Sequence, residues 1–328
     1  MKTQLFPAEH VKEAAALIRK GGLVVFPTET VYGLGASAFN PVACARIFSA
    51  KGRPSDNPLI VHVSNEAQLA EVAAAFPPQA EALKKAFWPG PLSLIVPKNP
   101  NLPDIVTAGL PTVAVRWPRN SQTQAFLEEC AVAVAAPSAN VSGAPSPTNY
   151  EMAKGAMLGR VEGILAGEDC EEGLESTIVG FVEGQAKILR PGSITAGEIA
   201  AVLGCPAADL AYVPPTEGRP VSPGLKYTHY KPNAEVRLFR SAEELKAADV
   251  EGHKVGVLLV GDVSPVLPEG WDVLRYEDWK AYGRYLYSSF FELDRVGCTL
   301  ILAQLPPSEG FGTAVANRLS KAAGVVLN

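Results

Sequence analysis

Cysteine is scarce in the chain: Cys44, Cys130, Cys170, Cys205 and Cys298 are far apart, odd in number, and form no C-x-x-C and no group with histidine. That excludes a disulfide framework, gives no structural zinc site, and fits a reduced cytoplasmic protein. Long apolar runs are missing as well. No stretch reaches the length of a membrane span, and Met1 to Pro7 lacks the apolar core of a signal peptide, so a soluble, unexported protein is expected. Basic residues are not in excess: 29 Lys and Arg stand against 34 Asp and Glu, a net charge of −5. Affinity for nucleotide or nucleic acid must then come from a local patch, which argues against a dedicated DNA-binding protein. Three common catalytic devices are also absent: the chain has no G-x-x-x-x-G-K-[ST], no H-E-x-x-H and no G-x-S-x-G.

Gly33-Leu34-Gly35-Ala36-Ser37-Ala38 does match G-x-G-x-x-A, the dinucleotide fingerprint, but its context is wrong. Pro27 to Tyr32 separate the preceding apolar strand from the first glycine, the next helix starts only near Pro41, and the acidic residue that should end a second strand falls at Asp56 in a Pro-rich loop.

The 328 residues, 47% of them hydrophobic, suffice for two cored domains. Helical spacing of Val11, Ala14, Ala15 and Ile18 predicts a helix from Pro7 to Gly21, followed by a strand at Leu23–Phe26. Further helices are expected over 41–50, 66–75, 80–87 and 196–203, and strands over 59–63, 92–96, 113–115, 132–135, 178–181 and 188–189. This is a mixed α/β domain on a large twisted sheet, residues 1–205. Residues 206–234 carry Pro206, Pro214, Pro215, Pro220, Pro223 and Pro232 and read as a linker. Its Ser222–Pro232 segment nevertheless holds Tyr227, His229, Tyr230, Lys226 and Lys231, more chemistry than a tether needs, so it is expected to act as a cover for a site. Residues 235–328 alternate strands and helices in a small α/β domain with no catalytic motif.

The richest stretch is Lys51-Gly52-Arg53-Pro54-Ser55-Asp56-Asn57-Pro58-Leu59-Ile60-Val61-His62. The helix pattern ends at Lys51 and Gly52, Pro54 and Pro58 forbid its continuation, so Lys51 and Arg53 are expected on an ordered loop suited to a polyanion. A K-x-R pair alone equally decorates a solvated surface. Its company changes the reading: Pro27 to Gly33, Thr112 with Arg116, Ser138-Ala139-Asn140, Ser146, Glu175-Ser176-Thr177 and Arg190-Pro191-Gly192 all fall at or beside strand ends. In an open α/β sheet ligands collect at that edge. These residues supply cations and short hydroxyls without a positioned base and nucleophile, which suits nucleotidyl transfer governed by orientation and charge stabilisation.

The ordered motifs P-T-E-T-V-Y-G-L-G, K-G-R-P-S-D-N-P-L, S-A-N, S-T-I and R-P-G closely resemble those of the threonylcarbamoyl-AMP synthases of the YrdC-like superfamily. S-P-G-L-K-Y-T-H-Y and the last ninety residues resemble the longer, two-domain form. The resemblance implies a YrdC-like twisted mixed sheet with a smaller Rossmann-like C-terminal domain. It also implies an activity: L-threonine, bicarbonate and ATP, with Mg²⁺ as cofactor, give threonylcarbamoyl-adenylate and pyrophosphate, for threonylcarbamoyladenosine in tRNA. By motif, Lys51 and Arg53 would be catalytic. Arg53, Asn57, Thr112, Ser138, Ser146, Arg190 and Tyr230 would serve ATP, and Thr30, His62, Arg116, Ala136 and Ser176 would hold threonine. No protein metal ligand is implied. The product would pass to a tRNA threonylcarbamoyl-transferase complex, with weak tRNA contact and no membrane. Two alternatives remain from the sequence: a related carbamoyl-adenylate-forming enzyme, against which the missing zinc-finger cysteines count, and a non-catalytic RNA-binding module, against which charge and the lack of an aromatic-basic stripe count.

Overall fold

The computed structural model describes residues 1–211, 230–261 and 267–325. The first unit runs β1 (Gln4–Phe6), α1 (Val11–Arg19), β2 (Val24–Phe26), β3 (Gly33–Ser37), α2 (Pro41–Lys51), β4 (Ile60–His62), α3 (Glu66–Val72), α4 (Pro78–Phe87), β5 (Leu92–Pro97) and α5 (Asp104–Thr107). It continues with β6 (Thr112–Arg116), α6 (Ser121–Cys130), β7 (Val134–Ala135), α7 (Tyr150–Met157), β8 (Gly163–Leu165), β9 (Thr177–Val182), β10 (Gln185–Arg190), α8 (Ala196–Leu203) and a 3₁₀ turn at Ala207–Leu210. Local chemistry sets several helix starts. Asn40, Asn65, Asn120 and Asn149 each accept a hydrogen bond from the backbone N–H three residues on, and Thr195 with Glu198 closes a capping box.

The strands form one ten-stranded mixed sheet, ordered β1-β8-β2-β3-β7-β4-β6-β5-β9-β10. Successive strand residues face opposite sides. Val61, Val113 and Val115 therefore enter the main core, while Ile60, Ala114, Ile95, Ile178 and Leu189 form a small apolar cluster on the other face. On that second face α1 and α6 cover the β2–β3–β7 part, packing Ala14, Ile18, Phe126 and Leu127 against Val24, Phe26 and Val134.

The second unit comprises β11 (Glu235–Phe239), α9 (Ala242–Lys246), β12 (Val255–Val260), β13 (Asp272–Tyr276), α10 (Trp279–Arg295), β14 (Leu300–Gln304) and α11 (Gly312–Ala323). Its four strands are all parallel, ordered β11-β14-β12-β13. Helices α10 and α11 pack Tyr282, Leu286, Phe290, Val315 and Leu319 into one core, which also takes Val31, Met152 and Leu174 from the first unit. The two units thus share apolar packing.

Three strands and three helices of the first unit go beyond the sequence expectation: β1, β3, β8, α5, α6 and α7. The case of β3 is instructive, because its glycines are the apparent fingerprint. A Cβ at Gly35 would stand 2.7 Å from Val134 Cγ1 and 2.8 Å from Phe26 Cε1, so glycine here admits the Phe26 ring across the strand. Lys51 also differs from expectation. It is the last residue of α2, with Gly52 at φ +61° as the left-handed cap, and only Arg53 enters the loop.

Candidate active site

Most of the residues singled out by motif converge on one cavity of about 720 Å³, counting its part open to solvent. It is lined by Thr30, Lys51, Arg53, His62, Arg116, Ala136, Ser138, Ser176, Arg190 and Tyr230, together with others including Thr28, Asn140, Ser142 and Glu175. The cavity does not sit along a sheet edge, as expected from strand ends. β7 is antiparallel to both β3 and β4, so neighbouring strand ends alternate in direction, and the site crosses the face of the sheet. Ile60 and His62, two residues apart on β4, both line it.

Lys51 is 1% exposed. Its Nζ donates to Ser138 O, to Asn140 O at 2.6 Å and to Asn140 Oδ1 at 3.4 Å, so all three ammonium protons meet acceptors on the S-A-N loop. Burial and the Arg53 charge hold its pKa well below the usual lysine value, while Glu175 opposes them. Arg53 Nη2 donates to Pro58 O at 3.1 Å, which ties the cation to the turn before β4.

Arg116 ends β6 opposite His62 and is 3% exposed. Its Nη1 donates to Thr30 Oγ1 at 2.6 Å and its Nε to Gly90 O at 3.4 Å. Nη2 forms an ion pair with Glu29 Oε1 at 2.8 Å, while His62 Nδ1 has no hydrogen-bond partner. A buried ring nitrogen left open across from Arg116 is a place where a bound ligand can make a hydrogen bond. Burial foremost, then the Arg116 charge, lowers the His62 pKa to about 3, so the ring is neutral at physiological pH. Burial raises the Glu29 carboxyl pKa, but Arg116 and the Arg119 N–H outweigh it, and the pKa lies below the usual value.

Ser176 and Arg190 form a third group. Arg190 Nε donates to Ser176 O and Nη2 to Ser176 Oγ, each at 3.1 Å, and Ser93 Oγ lies 2.8 Å from Ser176 Oγ.

Three residues assigned by motif stand apart from the lining. Ser146 reaches it indirectly, donating to Glu175 Oε1 at 2.6 Å. Asn57 is buried beneath the Arg53 turn. Thr112 is on the cavity's side of β6 but four residues from Arg116, about 13 Å along an extended strand. In the expected cover, Tyr230 lines the cavity, while Tyr227, His229 and Lys226 lie outside the described residues. The sequence reading placed Glu175 and Asn140 among the residues at strand ends but gave neither a role, and it did not name Ser142. An acidic residue at a strand start beside two hydroxyls was the available signal.

A buried cavity with Lys51, Arg53, Arg116 and Arg190 entering from α2, the following loop, β6 and β10 defines an anion-handling α/β protein. The Sua5_yciO_yrdC family model, described as "Telomere recombination", matches residues 16–192, and the chain belongs to that family. A second family model, "Threonylcarbamoyl-AMP synthase, C-terminal domain", matches residues 194–324. A threonylcarbamoyl-AMP synthase of Pyrococcus abyssi is 42% identical over 96% of this chain and 94% of its own length. That of Bacillus subtilis is 41% identical over 96% and 93%. The crystal structure of P. abyssi Sua5 complexed with L-threonine matches with a TM-score of 0.89 and 37% identity, covering 99% of this chain and 98% of that one. Escherichia coli YciO shares the fold of the first unit at a TM-score of 0.51 and 20% identity.

Proposed function

We propose that the chain is a threonylcarbamoyl-AMP synthase, joining L-threonine, bicarbonate and ATP into threonylcarbamoyl-adenylate with release of pyrophosphate. The observation that carries this reading is one cavity that brings Arg116, Thr30 and His62 together with Lys51, Arg53 and Arg190. Arg116 is braced by Thr30 and Gly90, so its planar fork offers the threonine carboxylate a fixed partner. Neutral His62 can accept a hydrogen bond from the threonine amine, and Ser176 can meet the hydroxyl or carbamate. Ala136 would form apolar wall beside them.

The amine attacks the bicarbonate carbon, and water leaves as the carbamate forms. A carbamate oxygen then attacks the α-phosphorus, the bond to the β-phosphate oxygen breaks, and pyrophosphate departs. Lys51, Arg53 and Arg190 would offset the growing charge on that leaving group. Asn57, Thr112, Ser138, Ser146 and Tyr230 would shape the remainder of the nucleotide site.

Among the described residues no group of three or more His, Cys, Asp or Glu side chains could hold a metal. Glu175 lines the cavity, but its carboxylate is taken up by donors. The residues do not fit a protein-held Mg²⁺, which would enter on the triphosphate as part of the substrate. We assign the product to a tRNA threonylcarbamoyl-transferase, since a mixed anhydride must pass promptly to its acceptor. No helix among the described residues is long and apolar enough to cross a membrane, which is compatible with cytoplasmic work. Pyrophosphate release should require ATP with Mg²⁺, L-threonine and bicarbonate together. Equal release with threonine omitted would defeat the assignment.

A further inference from the structure

The second unit shows no catalytic motif, yet two of its side chains end at the cavity wall. Glu175 is the wall residue they meet, and each polar group around its carboxylate is a donor. Ser146 comes from the first unit. From the second, Arg318 Nε on α11 donates to Oε2 at 2.8 Å, and the Tyr287 hydroxyl on α10 donates to Oε2 at 3.1 Å and lies 3.4 Å from Oε1. Arg318 is 0% exposed, and its Nη2 continues to Pro191 O at 3.0 Å, the residue after Arg190.

The same two side chains flank Tyr230. Its ring stacks on Tyr287 with centroids 5.3 Å apart and planes inclined by 29°, while the Arg318 guanidinium carbon lies 5.4 Å from the ring centre. Tyr230 holds φ at +68°, a conformation that costs a non-glycine residue energy and persists where its surroundings enforce it. A buried arginine meant only to join two units could pair with any interface carboxylate. Here it is aimed at one that lines the cavity and immediately precedes Ser176, to which Arg190 is bonded.

We propose that Arg318 and Tyr287 are positioning residues for the nucleotide part of the site, holding Glu175, the 190–191 turn and the Tyr230 ring in register across the unit boundary. The second unit then contributes to the wall of the site around Glu175 and Tyr230. This rests on the proposed function only for its kinetic readout.

The test uses the full chain, three single variants at the two positions, and Glu175→Gln alone and combined with Tyr287→Phe. Tyr287→Phe keeps the ring that stacks on Tyr230 and removes only the hydroxyl. Arg318→Lys keeps the charge but cannot span Glu175 and Pro191 with one planar fork. Arg318→Met removes the charge and strands a buried carboxylate, so it is read for stability first. Calorimetry with the non-hydrolysable analogue adenylyl imidodiphosphate and Mg²⁺ should show Tyr287→Phe and Arg318→Lys binding roughly tenfold more weakly. KM for ATP should rise by a similar factor while KM for L-threonine moves less than about twofold, because Arg116 is braced separately, by Thr30 and Gly90. Glu175→Gln combined with Tyr287→Phe should lose little more than the worse single variant. Unchanged analogue affinity in both conservative variants overturns the proposal. So does equal weakening for both substrates in step with a lower melting temperature, the mark of a merely structural contact. Wild-type protein that binds the analogue but releases no threonine-dependent pyrophosphate would refute the proposed function, and the analogue affinities would still decide this inference.

Discussion

Replacing Glu175 with glutamine exchanges one carboxylate oxygen for an amide nitrogen where Ser146, Tyr287 and Arg318 all donate. The new N–H₂ faces donors, and the buried guanidinium of Arg318 loses its counter-charge. Burial raises the Glu175 pKa, but Arg318 and Arg190 outweigh it and leave the pKa at about 2, against an ordinary carboxylate value of 4.5. Because the folded value lies below the unfolded one, the stabilisation is complete above pH 4.5 and is lost as pH falls toward 2. A gap of that size corresponds to about 3 kcal/mol at neutral pH, at 1.36 kcal/mol per pKa unit. Glu175→Gln should therefore cost about 3 kcal/mol in urea denaturation at pH 7. By pH 3.5 the difference from wild type should shrink by about 1 kcal/mol, since the wild type alone gives up this contribution. A deficit that stays constant between pH 7 and pH 3.5 would refute the ionised carboxylate paired with Arg318.

Lys51→Ala cuts three hydrogen bonds from a buried ammonium to the 138–140 loop. It should lower stability by about 2–3 kcal/mol and turnover roughly a hundredfold; an unchanged denaturation midpoint would show that the lysine does not anchor the loop. Arg116→Lys should raise KM for threonine roughly tenfold while KM for ATP moves less than about twofold, since an ammonium cannot both reach Thr30 and grip a carboxylate. Equal effects in steady-state kinetics would dismiss that role. Gly173 has φ +69°, and a Cβ there would lie 1.9 Å from Arg284 O on α10. Gly173→Ala should cost about 2–4 kcal/mol by denaturation and speed proteolysis between the units, and a variant as stable as wild type would mean the interface can give way freely.

The elements that sequence alone revealed were those with strong local signals. β12 falls on the strand expected from its apolar run at 255–260 and α8 matches its expected bounds, because one is an apolar run cut off by polar residues and the other a periodic stretch between a threonine cap and a glycine stop. Strand β3 was hidden because Gly33 and Gly35 carry no side chain to display alternation, and what requires them is the Phe26 ring on a neighbouring strand. In α6 the buried residues Thr123, Phe126, Leu127 and Cys130 keep helical spacing, but threonine weakens the apolar stripe. β1 and β8 are three residues each and pair across nearly the whole first unit, Gln4 opposite Gly163, a distance no local pattern encodes.

The site divided in the same way. Motifs singled out Lys51, Arg53, Thr30, His62, Arg116, Ser176 and Arg190, which line a single cavity, since each motif is local and its residues share a turn. Their placement over a sheet face was not readable, because alternation gives a strand's faces and not its direction. Arg318 and Tyr287 were invisible as site residues for a related reason. They lie on the buried faces of two amphipathic helices, where a sequence reading assigns them to their own domain's packing.

The central claim is tested most directly by following the carbon of bicarbonate. The protein, ATP with Mg²⁺, L-threonine and ¹³C-bicarbonate are mixed, quenched within seconds, and the nucleotide fraction is weighed by mass spectrometry. The account predicts an adenylate that contains threonine and a single ¹³C, formed in step with pyrophosphate and absent when threonine is left out. Pyrophosphate released with AMP alone, or an adenylate carrying no ¹³C, would contradict it.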